Sequence, residues 1–288
     1  MKKKLLVAAM ATTAVICGSL FTACGSDNKR AMTEDEWKTA FETTFSATNY
    51  TMEFTVKNSD TVKIAKQDYE SGNYEPPALA NTLSQFAKID ENLKTTYLEV
   101  KQENFQEKIN QDDDQNDDQD ESEDVAENVN QFTQIIVCRD TYLYSITQSN
   151  ESWNIYRDEF ETVESLNEYY LKRYSITDNV SSPINLLGDK YQYFTYNSET
   201  DFYSGVLPSD EFIDVSVSTP FNINIKLKFT DGKLCEYIHD IAIVENSNSE
   251  LIYLSYTHAE IKLSDFNSTE VLTPEDMKKV NEAIENYK

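Results

Sequence analysis

Residues Phe221-Asn222-Ile223-Asn224-Ile225-Lys226-Leu227-Lys228-Phe229 alternate apolar and polar without a break, and Thr230-Asp231-Gly232-Lys233 follows. A period of two puts the apolar side chains on one face of a strand and the asparagines and lysines on the other. Asp-Gly after such a run suits a two-residue hairpin turn with positive φ at both positions. The chain is therefore expected to reverse into Leu234–Val244. It turns again at Asn246–Glu250 and returns as Leu251–Leu263. Strands at hairpin spacing make an antiparallel sheet, and its apolar face needs cover.

The same period appears on either side of this stretch. Tyr50, Met52, Phe54 and Val56 alternate with Thr51, Glu53 and Thr55. A polar turn at Asn58-Ser59-Asp60 leads into a second run, Thr61–Ala65. Gln134–Cys138 and Thr141–Ile146 flank Arg139-Asp140 as a hairpin, and Trp153–Tyr156 adds a strand. Tyr191–Tyr196 and Phe202–Val206 flank a turn at Asn197–Asp201. Cover is expected from three helices. The first starts at Thr33, with capping-box spacing to Glu36 and a staple of Met32 and Trp37, and shows Trp37, Ala40, Phe41, Thr44 and Phe45 on one face. The second spans about 158–173, with Phe160, Val163, Leu166, Tyr170 and Leu171. The third has Thr273 as N-cap, Pro274 at the first helical position and a stripe of Met277, Val280, Ile284 and Tyr287. Residues 78–93 admit two readings: a helix over 78–88 before a strand at 95–107, or a hairpin about Glu91-Asn92. The helix is the expectation. The fold class is α+β, an antiparallel sheet with helices against it.

Composition narrows function. With 51 acidic and 25 basic residues the formal charge is −26, the wrong field for a nucleic-acid partner. Six glycines and two histidines leave no phosphate loop, dinucleotide fingerprint or nucleophile elbow. Residues 112–124 carry nine acids and no apolar side chain, so a solvated acidic insertion, about 108–130, is expected inside the fold. Asp112, Asp114, Asn116, Asp118, Asp120 and Glu123 match EF-hand ligand spacing, but Asp117 stands where that loop needs glycine, so the run reads as solvated charge. His239 and His258 fall on adjacent strands. With Glu236 or Glu260 they could reach a metal, but two strand histidines is the favoured reading, and no metal or cofactor is expected. Cys138 and Cys235 sit in apolar strands where buried thiols are common, and a disulfide between them stays open if the chain is exported. Ten of the 18 tyrosines lie between Tyr142 and Tyr203 and read as strand formers and sheet cover.

At the N-terminus, Lys2-Lys3-Lys4 precede a largely apolar run, Leu5–Phe21, and then Phe21-Thr22-Ala23-Cys24-Gly25-Ser26. The layout is that of a secretory signal, and with cysteine at the cleavage point it resembles a bacterial lipoprotein signal with its lipobox. Phe21 stands where that pattern prefers leucine. The resemblance implies cleavage of 1–23 and a membrane anchor of palmitate-type acyl chains on Cys24. Residues 24–32 would be a tether and 33–288 one domain. Two or three acyl chains hold stably, at about 0.8 kcal/mol for each buried CH₂.

The element order, with Trp37–Phe45 leading into Tyr50–Val56 and then the meander around Asp231-Gly232, resembles the lipoprotein-carrier half-barrel superfamily. That group includes the lipoprotein localisation factor and the mycobacterial lipid-binding lipoproteins. The resemblance covers roughly 33–265 and implies a curved sheet whose concave face is covered by helices. It also implies a non-enzymatic envelope lipoprotein holding an apolar ligand between sheet and helices. It transfers no ligand-contacting residue, and the acidic insertion and the terminal helix lie outside it. The alternatives are an envelope protein- or glycan-binding module and, further off, an envelope hydrolase.

Overall fold

The computed structural model describes residues 30–105, 128–149, 152–175, 183–208, 222–246 and 250–287. The signal segment, most of the acidic insertion and Phe221 lie outside them. In chain order the elements are α1 (Glu34–Phe45), β1 (Asn49–Ser59), β2 (Val62–Ala65), α2 (Lys66–Ser71), β3 (Leu79–Asp90), β4 (Thr95–Asn104), β5 (Asn128–Arg139), β6 (Tyr142–Ser149) and β7 (Ser152–Glu159). Then come α3 (Val163–Tyr174), two 3-10 segments (Pro183–Asp189 and Tyr191–Tyr193), β8 (Phe194–Asn197), β9 (Phe202–Pro208), β10 (Asn222–Thr230), β11 (Lys233–Asn246), β12 (Leu251–Ser264) and α4 (Pro274–Asn286).

All twelve strands of the described residues belong to one open antiparallel sheet. Its order is β7-β6-β5-β4-β3-β1-β12-β11-β10-β9-β8, with β2 pairing β12 beyond the end of β1. Two meanders, β3–β7 and β8–β12, thus extend from a central β1–β12 pair, in which Met52 faces Leu263 and Phe54 faces Ile261. The hairpin at Asp231-Gly232 forms as the dipeptide predicts, with φ of 50° and 69°, both in the region that a type I′ turn requires. On β9, Gly205 lies opposite Phe194. A Cβ there would meet Tyr193 O at 2.6 Å, so only glycine fits.

Helix α1 begins as its sequence dictates. The Thr33 hydroxyl accepts from Glu36 N, and the Glu36 carboxylate accepts from Thr33 N. The Arg30 guanidinium beside Glu36 holds that carboxyl down at about 2. The helix buries Trp37, Ala40, Phe41 and Thr44. Trp37 is fully buried, donates from Nε1 to Leu187 O at 3.0 Å and packs with Phe41, Tyr191, Phe194, Tyr203 and Phe229. This cluster continues across the sheet through Leu207, Ile223, Ile225, Leu227, Tyr237, Ile261 and Leu263 to Tyr50, Ala87 and Ile89.

α3 lies on the same face of the sheet, over the other meander. Its Leu166 and Tyr170 pack with Ile136 and Leu143. α4 takes the opposite face, where Val280 packs with Ile135, Val137 and Ile146, and Asn281 accepts a hydrogen bond from Arg139. Its N-cap is Thr273 with Pro274 following, as the sequence indicates.

Four expectations are corrected. Residues 79–90 form a strand, not a helix. Leu79, Leu83 and Phe86 fall at helical spacing, but β3 is an interior strand bonded to β1 on one side and β4 on the other. Two ladders satisfy its backbone, and tertiary pairing of this kind overrides a local period. The turn is Glu91–Lys94, with Lys94 at φ 48°, and β4 ends at Asn104. The helix expected from 158 begins at Val163, because Ser152–Glu159 is strand and Thr162 supplies the cap. Tyr191–Tyr193 is a 3-10 turn, and its strand starts at Phe194. Asn128–Asn130, expected at the end of the acidic insertion, are strand, since β5 pairs with β4 from Asn128 onward.

Candidate functional site

α1 and α3 leave uncovered part of the face they share. α3 is tethered by its buried side. The Tyr170 hydroxyl and Thr96 Oγ1 are 2.7 Å apart, and burial drives the Tyr170 hydroxyl far above its ordinary range. The C-terminal turns of α3 then wall a cleft of about 540 Å³ against the sheet.

The floor follows from strand register. Met52 of β1 lies opposite Ala87 of β3, and Ala87 opposite Leu98 of β4. Ile89 and Thr96 continue it, and these five share one face by the period of two. Two glutamines enter the floor. Gln85 falls in phase with Leu83, Ala87 and Ile89. Gln134, opposite Leu98, falls in phase with Ile136 and Cys138 and donates to Ser145 Oγ at 2.7 Å. The helical wall adds Tyr169, Lys172, Arg173 and Tyr174. Lys172 is ion-paired with Glu168 at 2.7 Å. Burial raises the Tyr174 hydroxyl, and Arg173 beside it opposes that shift. Among the described residues no carboxylate lines this cleft. An apolar floor, two amide groups and a cationic rim can hold an amphiphile with a neutral or anionic head, since ligand clefts pair apolar walls with a few placed polar groups.

Register separates the two strand histidines. His239 lies opposite Ala259, and His258 opposite Asp240. Adjacent residues point to opposite faces, so the two imidazoles cannot share an ion. His239 faces the α1 side, with Nδ1 2.8 Å from the Tyr237 hydroxyl, and burial lowers its pKa to about 4. His258 faces the other side, with Nδ1 2.7 Å from Asp240 Oδ1. Among the described residues no group of three or more His, Cys, Asp or Glu could hold a metal. Cys138 and Cys235 are free thiols. Burial pushes the Cys138 thiol up to about 12, which makes it unreactive at neutral pH. Cys24 and the EF-hand-like spacing at 112–123 lie outside the described residues. Among those described, no helix is long and apolar enough to cross a membrane.

Sequence reading passed over Gln85, Gln134, Lys172 and Arg173. The glutamines did leave a signal, each being a polar residue in the apolar phase of its strand. The two cations left none, since only the placement of α3 brings them to the cleft. No family model matches the chain, and no curated protein matches it.

Proposed function

We propose that this is a non-enzymatic bacterial envelope lipoprotein, anchored through acyl chains on Cys24. Its sheet acts as a half-barrel whose concave face binds an apolar or amphiphilic ligand beside α3. The observation that carries the ligand reading is the cleft of about 540 Å³ with its floor of Met52, Ala87, Ile89 and Leu98. Lys172 and Arg173 suit an anionic head group at its mouth. The anchor rests on the lipobox-like Phe21-Thr22-Ala23-Cys24.

The test is native mass spectrometry of the full chain, taken up in mild detergent and exposed to an envelope lipid extract. The expected result is a lipid-sized adduct that organic extraction removes and that Lys172→Glu with Arg173→Glu weakens. A clean apo mass after that exposure rejects the ligand. Cys24→Ser is expected to move the protein from the membrane fraction to the soluble one, and unchanged fractionation rejects the anchor. A glycan- or protein-binding module is the second reading. It is favoured by Trp153 and Tyr156 on edge strand β7, which are 43% and 62% exposed.

A further inference from the structure

Among the described residues the sheet has a third free edge besides β7 and β8, and it lies inside a crevice. β2 continues the line of β1 along β12, and among the described residues β12 is its only partner strand. β3 stops at Leu79, opposite Ser59, so among the described residues no strand flanks β2 on its other side. The chain there runs as residues 73–78, and between the two lies a crevice of about 530 Å³ lined by all four residues of β2.

The phase of the β2–β12 ladder shows which backbone groups face this crevice. Lys66 N donates to Glu250 O at 2.8 Å, one step beyond the pair Ala65–Leu251. Hydrogen-bonded pairs alternate along an antiparallel ladder. Ile64 and Val62 therefore direct their backbone groups to β12. Lys63 directs its N–H and C=O into the crevice, and Ala65 its N–H, while the Ala65 C=O begins α2. The far wall is poorly suited to meet them, because Pro76 and Pro77 have no N–H.

The crevice is also held open. Asp60 N donates to Ala78 O at 2.8 Å and closes one end. Gly72 ends α2 at φ 71°, and Asn73 N returns to Asp68 O. Tyr74 packs on Tyr69 with ring centroids 5.6 Å apart, and its hydroxyl lies 2.8 Å from that of Tyr256. A slot fixed in advance lowers the ordering cost of binding. Its charge is acidic, with Asp60, Asp68 and Glu75 against Lys63, in a chain of formal charge −26.

We propose that the β2 edge is a strand-addition site, taking an extended lysine- or arginine-bearing segment of a partner protein. The segment would pair main chain to main chain with Lys63 and Ala65 and set its cations against Asp60, Asp68 and Glu75. In this mode main-chain bonds give affinity and alternate side chains give specificity. The site is separate from the cleft beside α3 and does not depend on its ligand.

Amide hydrogen exchange on the full chain, read residue by residue, tests the proposal. The probe is a blocked pentapeptide alternating lysine and valine, and the control is its glutamate–valine counterpart. Millimolar lysine–valine peptide is expected to slow exchange at Lys63 and Ala65 at least tenfold, and the control to leave them unchanged. Lys63→Pro is expected to abolish the protection of Ala65 while the β12 amides keep theirs, because the Lys63 N–H faces away from β12. Glu75→Lys is expected to weaken the peptide at least threefold, and it carries the test if proline melts β2. Equal protection by both peptides, or none by either, overturns the proposal. Protection that appears without peptide and grows with protein concentration assigns the edge to a second copy and overturns it too.

Discussion

The two meanders of the sheet solve burial differently. Among the described residues β10 is covered on one side only. Ile223, Ile225 and Leu227 are buried beneath α1 and its 3-10 neighbour, while Asn222, Asn224 and Lys226 are exposed. β5 is covered on both. Ile135 and Val137 pack under α4, and Ile136 packs under α3. The sequences differ accordingly: strict alternation in β10, and the unbroken run Ile135-Ile136-Val137-Cys138 in β5. A strand buried on both faces loses its alternation, so such a run in a chain rich in hairpins marks where a helix lies on each side.

The contrast can be broken experimentally. The largest effect is expected at the single-sided meander's anchor. Trp37→Ala removes a fully buried ring and a hydrogen bond to Leu187 and should cost about 3–5 kcal/mol in urea unfolding. Next come adjacent residues. In β5, Ile135→Ala and Ile136→Ala should each cost about 2–5 kcal/mol. In β10, Ile225→Ala should cost as much, and Lys226→Ala only about 0.5 kcal/mol or less. Equal tolerance at Ile135 and Lys226 would remove the two-sided reading.

A smaller effect distinguishes the two faces of β11. His239 lies on the covered face with its pKa lowered to about 4. The folded protein therefore binds fewer protons than the unfolded chain between that value and the ordinary histidine range near 6.5. Stability is present above that window and is lost as pH falls through it. Going from pH 7 to pH 5, wild type should lose about 2 kcal/mol more than His239→Gln. Parallel pH profiles for the two proteins would place His239 in water.

Much of the fold was legible because its signals are local. The Thr33 and Thr273 caps, the Asp231-Gly232 turn and the alternation in β10 each need only a few neighbouring residues. β3 was misread because its strand state depends on β1 and β4, one arriving from earlier in the chain and one from later. Of the candidate site, the apolar floor at Met52 was visible as strand phase. Its wall was not, because Tyr169, Lys172 and Arg173 lie on the exposed side of an amphipathic helix and are indistinguishable there from solvated residues.

By itself the amino-acid order determined element types wherever period and punctuation agree, the excess of negative charge, and the absence of glycine- and histidine-based site motifs. Tertiary structure alone decided that β1 pairs with β12 across the chain, and that α3 and α4 take opposite faces of one meander. It also decided that His239 and His258 part company and that, among the described residues, β2 is left with an open edge. The physical reason is one of range. Capping, turns and alternation act over a few residues, whereas strand order and helix placement follow from which distant surfaces exclude water together.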